Sequence, residues 1–361
     1  MPSPENNQRE LPDNALTGTP KPHRRLRPWV WILLILLVGV PLTLTLISAL
    51  TSPPHVSGVP MGKLVYLDAD SPSEKTTTLR GLFVTQPGAG PRLLVHESEP
   101  QDVDAGAREW ITQPVASPDG TQVAFEKQII TLLDEQQSID NQLWVMPLNN
   151  ADPELKPHLL LDLTPKNMKQ VVGLAWDSDS SIMFLEDGLS YSLPTQEAGD
   201  PMLTPLDLAG LTLAPSSNIS ATRAPNLTEA GAFAFSALTA TGPQVVISDS
   251  NGPAIGPPAA IFALSPDAQK IAYVPTGTNG VIRIYNVASK QTAQDIKVRW
   301  GWSVFGRRHI TSLRWSPDGT DIGFTVSKPP VPEDELFYVD PAGKTWQMPV
   351  RVGRAAWDWA H

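Results

Sequence analysis

Residues 30–50 are apolar on every side, whereas beyond residue 61 the apolar positions fall into short runs separated by turn residues. The first pattern predicts one membrane-length helix and the second a series of short β-strands. Four segments of the second region repeat one another: 115–125 (VASPDGTQVAF), 175–184 (AWDSDSSIMF), 263–273 (ALSPDAQKIAY) and 314–324 (RWSPDGTDIGF). A fifth, 223–235 (RAPNLTEAGAFAF), is a degraded copy. In each, an apolar strand runs into a Ser-Pro-Asp-Gly-like turn and a second apolar strand follows. Proline presets φ, aspartate bonds local backbone amides, and glycine takes a positive φ without a Cβ clash, so the unit reads as a β-hairpin.

The aromatics that close these hairpins are Phe125, Phe184, Phe235, Tyr273 and Phe324, at intervals of 59, 51, 38 and 51 residues. That period suits a four-stranded propeller blade. Further strands follow each hairpin. Asp187-Gly188 separates 182–186 from 189–193, Asn279-Gly280 precedes 281–285 and 293–298, and 336–339 turns through 340–343 into 345–348. The C-terminal segment 352–358 copies the inner strand 172–177, yet its hairpin partner is missing. The segment after residue 61 shows strands at 63–67, 79–85 and 92–96 with no inner strand before them. Joining the two gives a composite first blade that removes the open edges. The predicted fold is therefore all-β: a six-bladed β-propeller whose C-terminal strand closes the first blade, preceded by one N-terminal transmembrane α-helix. Trp176, Trp315 and Trp357 are placed at the ends of inner strands, which points to repeated packing between blades.

These hairpins resemble the WD-repeat-like blades of TolB-type bacterial β-propellers, over roughly residues 61–361. The resemblance implies a role in interactions of the cell envelope. The N-terminal anchor departs from the soluble periplasmic pattern of that family, and the blade itself serves scaffolds, binding proteins and peptidase propellers alike.

The uncharged run Val30 to Leu50 is long enough to cross a hydrocarbon core of ~30 Å at about 1.5 Å per residue. Trp29 and Trp31 sit at its start, and Lys21, Arg24, Arg25 and Arg27 precede it with no further base until Lys63. The positive-inside rule then places the N-terminus in the cytoplasm and the propeller outside it. A cleaved signal peptide is the competing reading, disfavoured by the length of the run and by Ile47-Ser48-Ala49 as a cleavage site. The expected organisation is a disordered cytoplasmic tail (1–27), a transmembrane helix (28–50), a linker (51–60) and the propeller (61–361).

Composition changes the picture in two ways. The chain has no cysteine, which excludes disulfides, thiolate metal sites and thiol nucleophiles. Its net charge is −10, and residues beyond 50 carry 22 bases against 34 acids, which disfavours a nucleic-acid partner. No Gly-x-Ser-x-Gly, His-Glu-x-x-His or calcium-loop signature occurs, and the six histidines are scattered. The closing strand at the end of the chain is expected to leave no room for a hydrolase domain. No cofactor, metal or catalytic group is predicted.

One segment stands apart from the blades. Residues 299–309 concentrate Arg299, Trp300, Trp302, Arg307, Arg308 and His309 in an acidic domain. Arg and Trp are favoured anchors at binding surfaces, so these six are the candidate partner-binding residues. The alternative is a loop that packs its tryptophans over the rim while its arginines offset nearby acids. In a propeller this connection shares a face with the loops between second and third strands, which makes 129–140, read as a long loop, the second candidate. The leading expectation is a membrane-anchored extracytoplasmic propeller that binds or scaffolds a protein, peptide or envelope polymer. The alternatives are a hydrolase or lyase working in the central funnel, and a ligand sensor coupled through the helix.

Overall fold

Six four-stranded antiparallel sheets follow one another along the chain beyond residue 61, as the repeated turn chemistry dictates. The computed structural model describes residues 37–38, 43, 53–54, 62–68, 81–87, 89–97, 107–133, 136–148, 156–166, 171, 173–178, 181–186, 189–195, 202–204, 226–227, 233–239, 242–249, 252–300, 307–328, 331–353 and 356–360. Two compact units are present, Met1–Leu50 and Thr51–His361. The expected tail and nearly all of the expected transmembrane helix lie outside the described residues; among those described, no helix is long and apolar enough to cross a membrane.

Blade one contains β1 (Lys63–Asp68), β2 (Gly81–Thr85) and β3 (Arg92–His96). Blade two is β4 (Ala107–Ala116), β5 (Gln122–Leu133), β6 (Gln136–Pro147) and β7 (His158–Asp162). Blade three is β8 (Gly173–Ser178), β9 (Ser181–Glu186), β10 (Leu189–Pro194) and β11 (Met202–Thr204). Blade four is β12 (Asn226–Leu227), β13 (Phe233–Thr239), β14 (Gly242–Asp249) and β15 (Gly252–Ile255). Blade five is β16 (Phe262–Leu264), β17 (Lys270–Tyr273), β18 (Val281–Asn286) and β19 (Gln291–Lys297). Blade six is β20 (Ile310–Trp315), β21 (Ile322–Lys328), β22 (Val331–Val339) and β23 (Thr345–Gly353). The last strand, β24 (Trp357–Ala360), pairs antiparallel with β1 and gives blade one the order β24-β1-β2-β3. The inner strands succeed one another around the ring: β24 lies beside β4, β4 beside β8, β8 beside β12, β12 beside β16 and β16 beside β20. Blade six meets blade one again through β23 and β1, so the chain is a closed six-bladed β-propeller.

The turns show why Ser-Pro-Asp was repeated. Ser117 Oγ donates to Asp119 Oδ1 (2.6 Å) and accepts the Gln122 amide (2.9 Å), while Asp119 accepts the Thr121 amide (3.0 Å). Ser265 and Asp267, and Ser316 and Asp318, repeat this arrangement with the same 2.6 Å hydroxyl bond. Partial burial pushes these carboxyls up, but the serine hydroxyl and the backbone amide outweigh it, so Asp119, Asp267 and Asp318 all lie below the usual carboxylate range. The following residue is left-handed: Gly120 at φ 66°, Gly319 at φ 68°, and in blade five Ala268 at φ 56°.

The closing aromatics are buried and pair with the third strand of their own blade. Phe184 stacks on Tyr191 (5.2 Å), Phe324 on Phe337 (5.5 Å), and Tyr66 supplies the sixth by stacking on Phe83 (5.9 Å). Among the described residues, five apolar clusters each join two neighbouring blades: one and two, two and three, four and five, five and six, six and one. No blade could bury its face alone, which is the physical basis of the ring. Trp176 Nε1 donates to Val115 O (3.0 Å) and Trp315 Nε1 to Ala263 O (3.0 Å), in each case from one inner strand to the preceding one. The expected inter-blade role of these two tryptophans is therefore seen directly.

Two sequence readings shift. The inner strand placed at 352–358 is split: Val352 and Gly353 belong to β23, and only 357–360 form β24. Trp357 consequently pairs with Tyr66, the level that Leu313 occupies opposite Phe324, and Trp359 takes the level of Trp315. Trp357 Nε1 instead donates to Ser312 Oγ (2.8 Å), and its ring lies where a Cβ on Gly323 would be, which explains glycine in place of the alanine found at 124 and 272. Of the segment 129–140, read as a loop, residues 129–133 and 136–140 are instead strand, paired between β5 and β6 out to Leu133↔Gln136. Of the linker 51–60, Pro53 and Pro54 are described, and Pro54 O accepts the Gln347 amide (3.0 Å), so this part is docked on the outer strand of blade six.

Candidate functional site

An antiparallel meander puts its second-to-third turns and its fourth-to-first connections on one face of the ring, opposite the Ser-Pro-Asp turns. In blade six this face carries the segment singled out by sequence. Arg299 is exposed, and its amide meets Thr345 Oγ1 at 3.5 Å. Trp300 is half-buried in the cluster between blades five and six, with its ring 6.3 Å from Phe324 and against Gly280. Trp302 lies outside the described residues. Arg307 and His309 are exposed, and Arg308 between them is buried. Arg308 pairs with Glu335, lies 5.9 Å over the Phe337 ring, and its carbonyl accepts Asn279 Nδ2 (2.5 Å). His309 Nδ1 meets Ser327 Oγ at 2.9 Å.

The five described residues of the six divide by role. Trp300 and Arg308 are packed into the blades, and Arg299, Arg307 and His309 face solvent. Arg308 is committed to an acid that sequence reasoning did not connect to it. Glu333, Asp334 and Glu335 follow one another on β22 and are all buried. Glu333 meets Arg351 (3.2 Å), and Asp334 accepts Thr311 Oγ1 (2.5 Å). Thr311, Thr325 and Ser312 continue the hydrogen bonds (2.8 and 2.5 Å) to Trp357 of the closing strand. Three successive acids inside an otherwise strand-like run were the available signal.

Blade two presents the other notable structure on this face. β4, β5 and β6 all run on past the blade, with pairing from Ala107↔Thr131 to Thr112↔Glu126 on one side of β5. Ile139 is 48% exposed on this arm. Lys127 bridges to Glu109 (2.7 Å) and lies over Trp144, and Arg108 covers Trp110. At the root of the arm Glu97 accepts the Ile111 amide (2.7 Å), and Glu126, buried, accepts Thr112 Oγ1 (2.6 Å) and Gln113 Nε2 (3.2 Å).

Near the axis, Asp358 of β24 touches both neighbouring blades. Its Oδ2 accepts the Ala116 amide of blade two (3.0 Å), and its Oδ1 lies 3.5 Å from Arg314 Nε of blade six. Burial pushes this carboxyl up, and Arg314 with the Ala116 and Trp359 amides pulls it only part of the way back. Lys63 adds a bond from β1 to Gly120 O (3.0 Å). Among the described residues no three His, Asp or Glu side chains gather as a metal site would require.

No protein-family model and no curated protein matches the chain. Solved structures are similar to it. A protein assigned to TolB from Agrobacterium tumefaciens shares 15% identity, with 72% of this chain and 83% of that one covered at a TM-score of 0.44. An oligogalacturonate lyase from Vibrio parahaemolyticus shares 11%, covering 68% of each chain at 0.45. The β-propeller domain of the trilobed protease from Pyrococcus furiosus shares 14%, covering 85% and 87% at 0.42. At these values the similarities assign no activity, and the propeller rests on the strand order itself.

Proposed function

We propose that the chain is a membrane-anchored, extracytoplasmic propeller that binds or scaffolds a protein, peptide or envelope polymer on the face of its fourth-to-first connections. The observation that supports this is the asymmetry of that face. Blade two raises a three-stranded arm from it, and blade six presents Arg307 and His309 to solvent from a chain of net charge −10. A projecting sheet supplies shape and an exposed apolar residue, and the cations supply charge, which together form the rim and centre of an interaction surface. Arg308 and Trp300 act beneath this surface as supports, which leaves Arg299, Trp302, Arg307 and His309 of the six candidates, together with the arm, as the contact set.

The test is photo-crosslinking in intact cells from probes placed at position 307, at position 139 and, as a control for the opposite face, at position 267. The same adduct from 307 and 139, absent at 267, is expected, and Arg307→Glu should abolish the adduct from 139. Equal capture from 267, or no adduct at either site, contradicts the reading. The anchor is tested separately. Deleting residues 28–50 should release the propeller from membranes that resist alkaline extraction, and continued retention would contradict that part.

A further inference from the structure

We propose that Glu126 carries a proton in the folded protein and closes a cyclic acid–amide pair with Gln113, so that losing the proton loosens the connection from blade two to blade three. Glu126 is 1% exposed on β5. Its Oε2 accepts two donors, Thr112 Oγ1 (2.6 Å) and Gln113 Nε2 (3.2 Å). Its Oε1 is buried and has no hydrogen-bond partner, and the same is true of Gln113 Oε1. Two side chains already joined by one N–H···O bond therefore each hold a bare acceptor, and what the pair lacks is a single donor. A proton on Glu126 Oε1 supplies it, donating to Gln113 Oε1 while Gln113 Nε2 donates back to Oε2. An ionised Glu126 would leave both acceptors unmet and a charge buried without a cation, which is the costly alternative.

The surroundings agree. The charged groups on the elements packed around it are Glu97, Arg108 and Glu109, Lys127 on its own strand, Asp140 on β6, and Asp162 and Lys166 beside the connection; none of them is among the largest influences on Glu126. Lys127 is engaged with Glu109. Burial pushes the Glu126 carboxyl up, and Thr112, the Val171 amide, Gln113 and Gln128 only partly reverse this. Gln113 sits at φ 51° in the β4 bulge, a left-handed backbone that is strained for a non-glycine residue. Its Nε2 also donates to Val171 O (2.7 Å), the residue that leads into β8. The acid–amide pair thus fixes a strained residue whose other bond ties down the connection on the proposed binding face.

A pKa above the unfolded value means that the stabilisation is complete below the unfolded pKa and is lost as pH rises through the folded one. The test uses the full-length chain in detergent micelles, comparing thermal midpoints from about pH 5 to pH 9. Glutamine at 126 mimics the neutral acid, so Glu126→Gln should match the wild type at low pH and exceed it at high pH. The wild type should show a carboxylic-acid carbonyl stretch in the infrared at neutral pH that Glu126→Gln lacks. Amide exchange at 163–174 should accelerate at high pH beyond base catalysis in the wild type alone. A Glu126→Gln protein that fails to fold, or is less stable at every pH with a parallel profile, overturns the proposal. So does absence of the infrared band in the wild type.

Discussion

Blades two and six bury carboxylates at the same end of the ring, and they neutralise them differently. In blade six Glu335 has the Arg308 guanidinium and Glu333 has Arg351. In blade two the groups that bond Glu126 are neutral: Thr112, Gln113, Gln128 and the Val171 amide. A paired buried charge depends on its partner, whereas an unpaired buried acid depends on its proton. Two blades of one repeat, on either side of blade one, have thus met the same problem by two chemistries.

The largest expected effect comes from breaking the pair in blade six. Arg308→Ala leaves Glu335 buried without its cation and should destabilise the fold by about 3–5 kcal/mol in chemical denaturation. Arg308→Met with Glu335→Leu should recover most of that loss, because two apolar groups leave no charge unpaired. Glu126→Ala should cost less, about 1–3 kcal/mol, from stranding the Thr112 and Gln113 donors. Arg351→Ala removes a half-exposed cation from the buried Glu333 and should cost less than Arg308→Ala, about 1–3 kcal/mol. Arg307→Glu should leave stability within about 0.5 kcal/mol while abolishing crosslinking at the proposed face. A cost from Arg351→Ala that matches Arg308→Ala would erase the distinction between buried and rim pairs. Away from both sites, Ala268→Gly relieves a left-handed alanine and should stabilise by roughly 0.5–1 kcal/mol.

Acid should act on a third set of groups, the turn aspartates. Asp119, Asp267 and Asp318 lie below their ordinary values, so the stability they give is present above the unfolded pKa and is lost as pH falls through the folded one. Asn at all three should flatten the acid limb of a stability–pH curve and leave the alkaline limb, attributed to Glu126, unchanged.

Much of the ring was legible because its signals are local. Ser-Pro-Asp turns at 117–119, 265–267 and 316–318 fix three hairpins and make the looser copies recognisable, and the missing inner strand of blade one had a matching orphan at the C-terminus. What escaped depends on distant partners. Arg307 and Arg308 are indistinguishable in sequence, and Glu335, 27 residues on, decides which one turns inward. Trp357 looks like another Trp315, but pairing with Tyr66 shifts its register by two residues. Residues 129–140 contain Gln136, Gln137 and Ser138, which carry little strand propensity of their own, and they are held as strand by cross-strand pairing. Glu126 reads as an ordinary polar position in a half-buried strand until the bulge on β4 brings Gln113 over it.

Closure of the ring by β24 underlies every placement above, and the absence of cysteine makes it directly measurable. Lys63 and Ala360 are register partners on β1 and β24. With Lys63→Cys and Ala360→Cys, mild oxidation of the folded chain should form one intramolecular disulfide and raise the thermal midpoint, with neither single variant doing so. Free thiols that persist in the folded double variant, or a disulfide that forms only between chains, would contradict a propeller closed by its last strand.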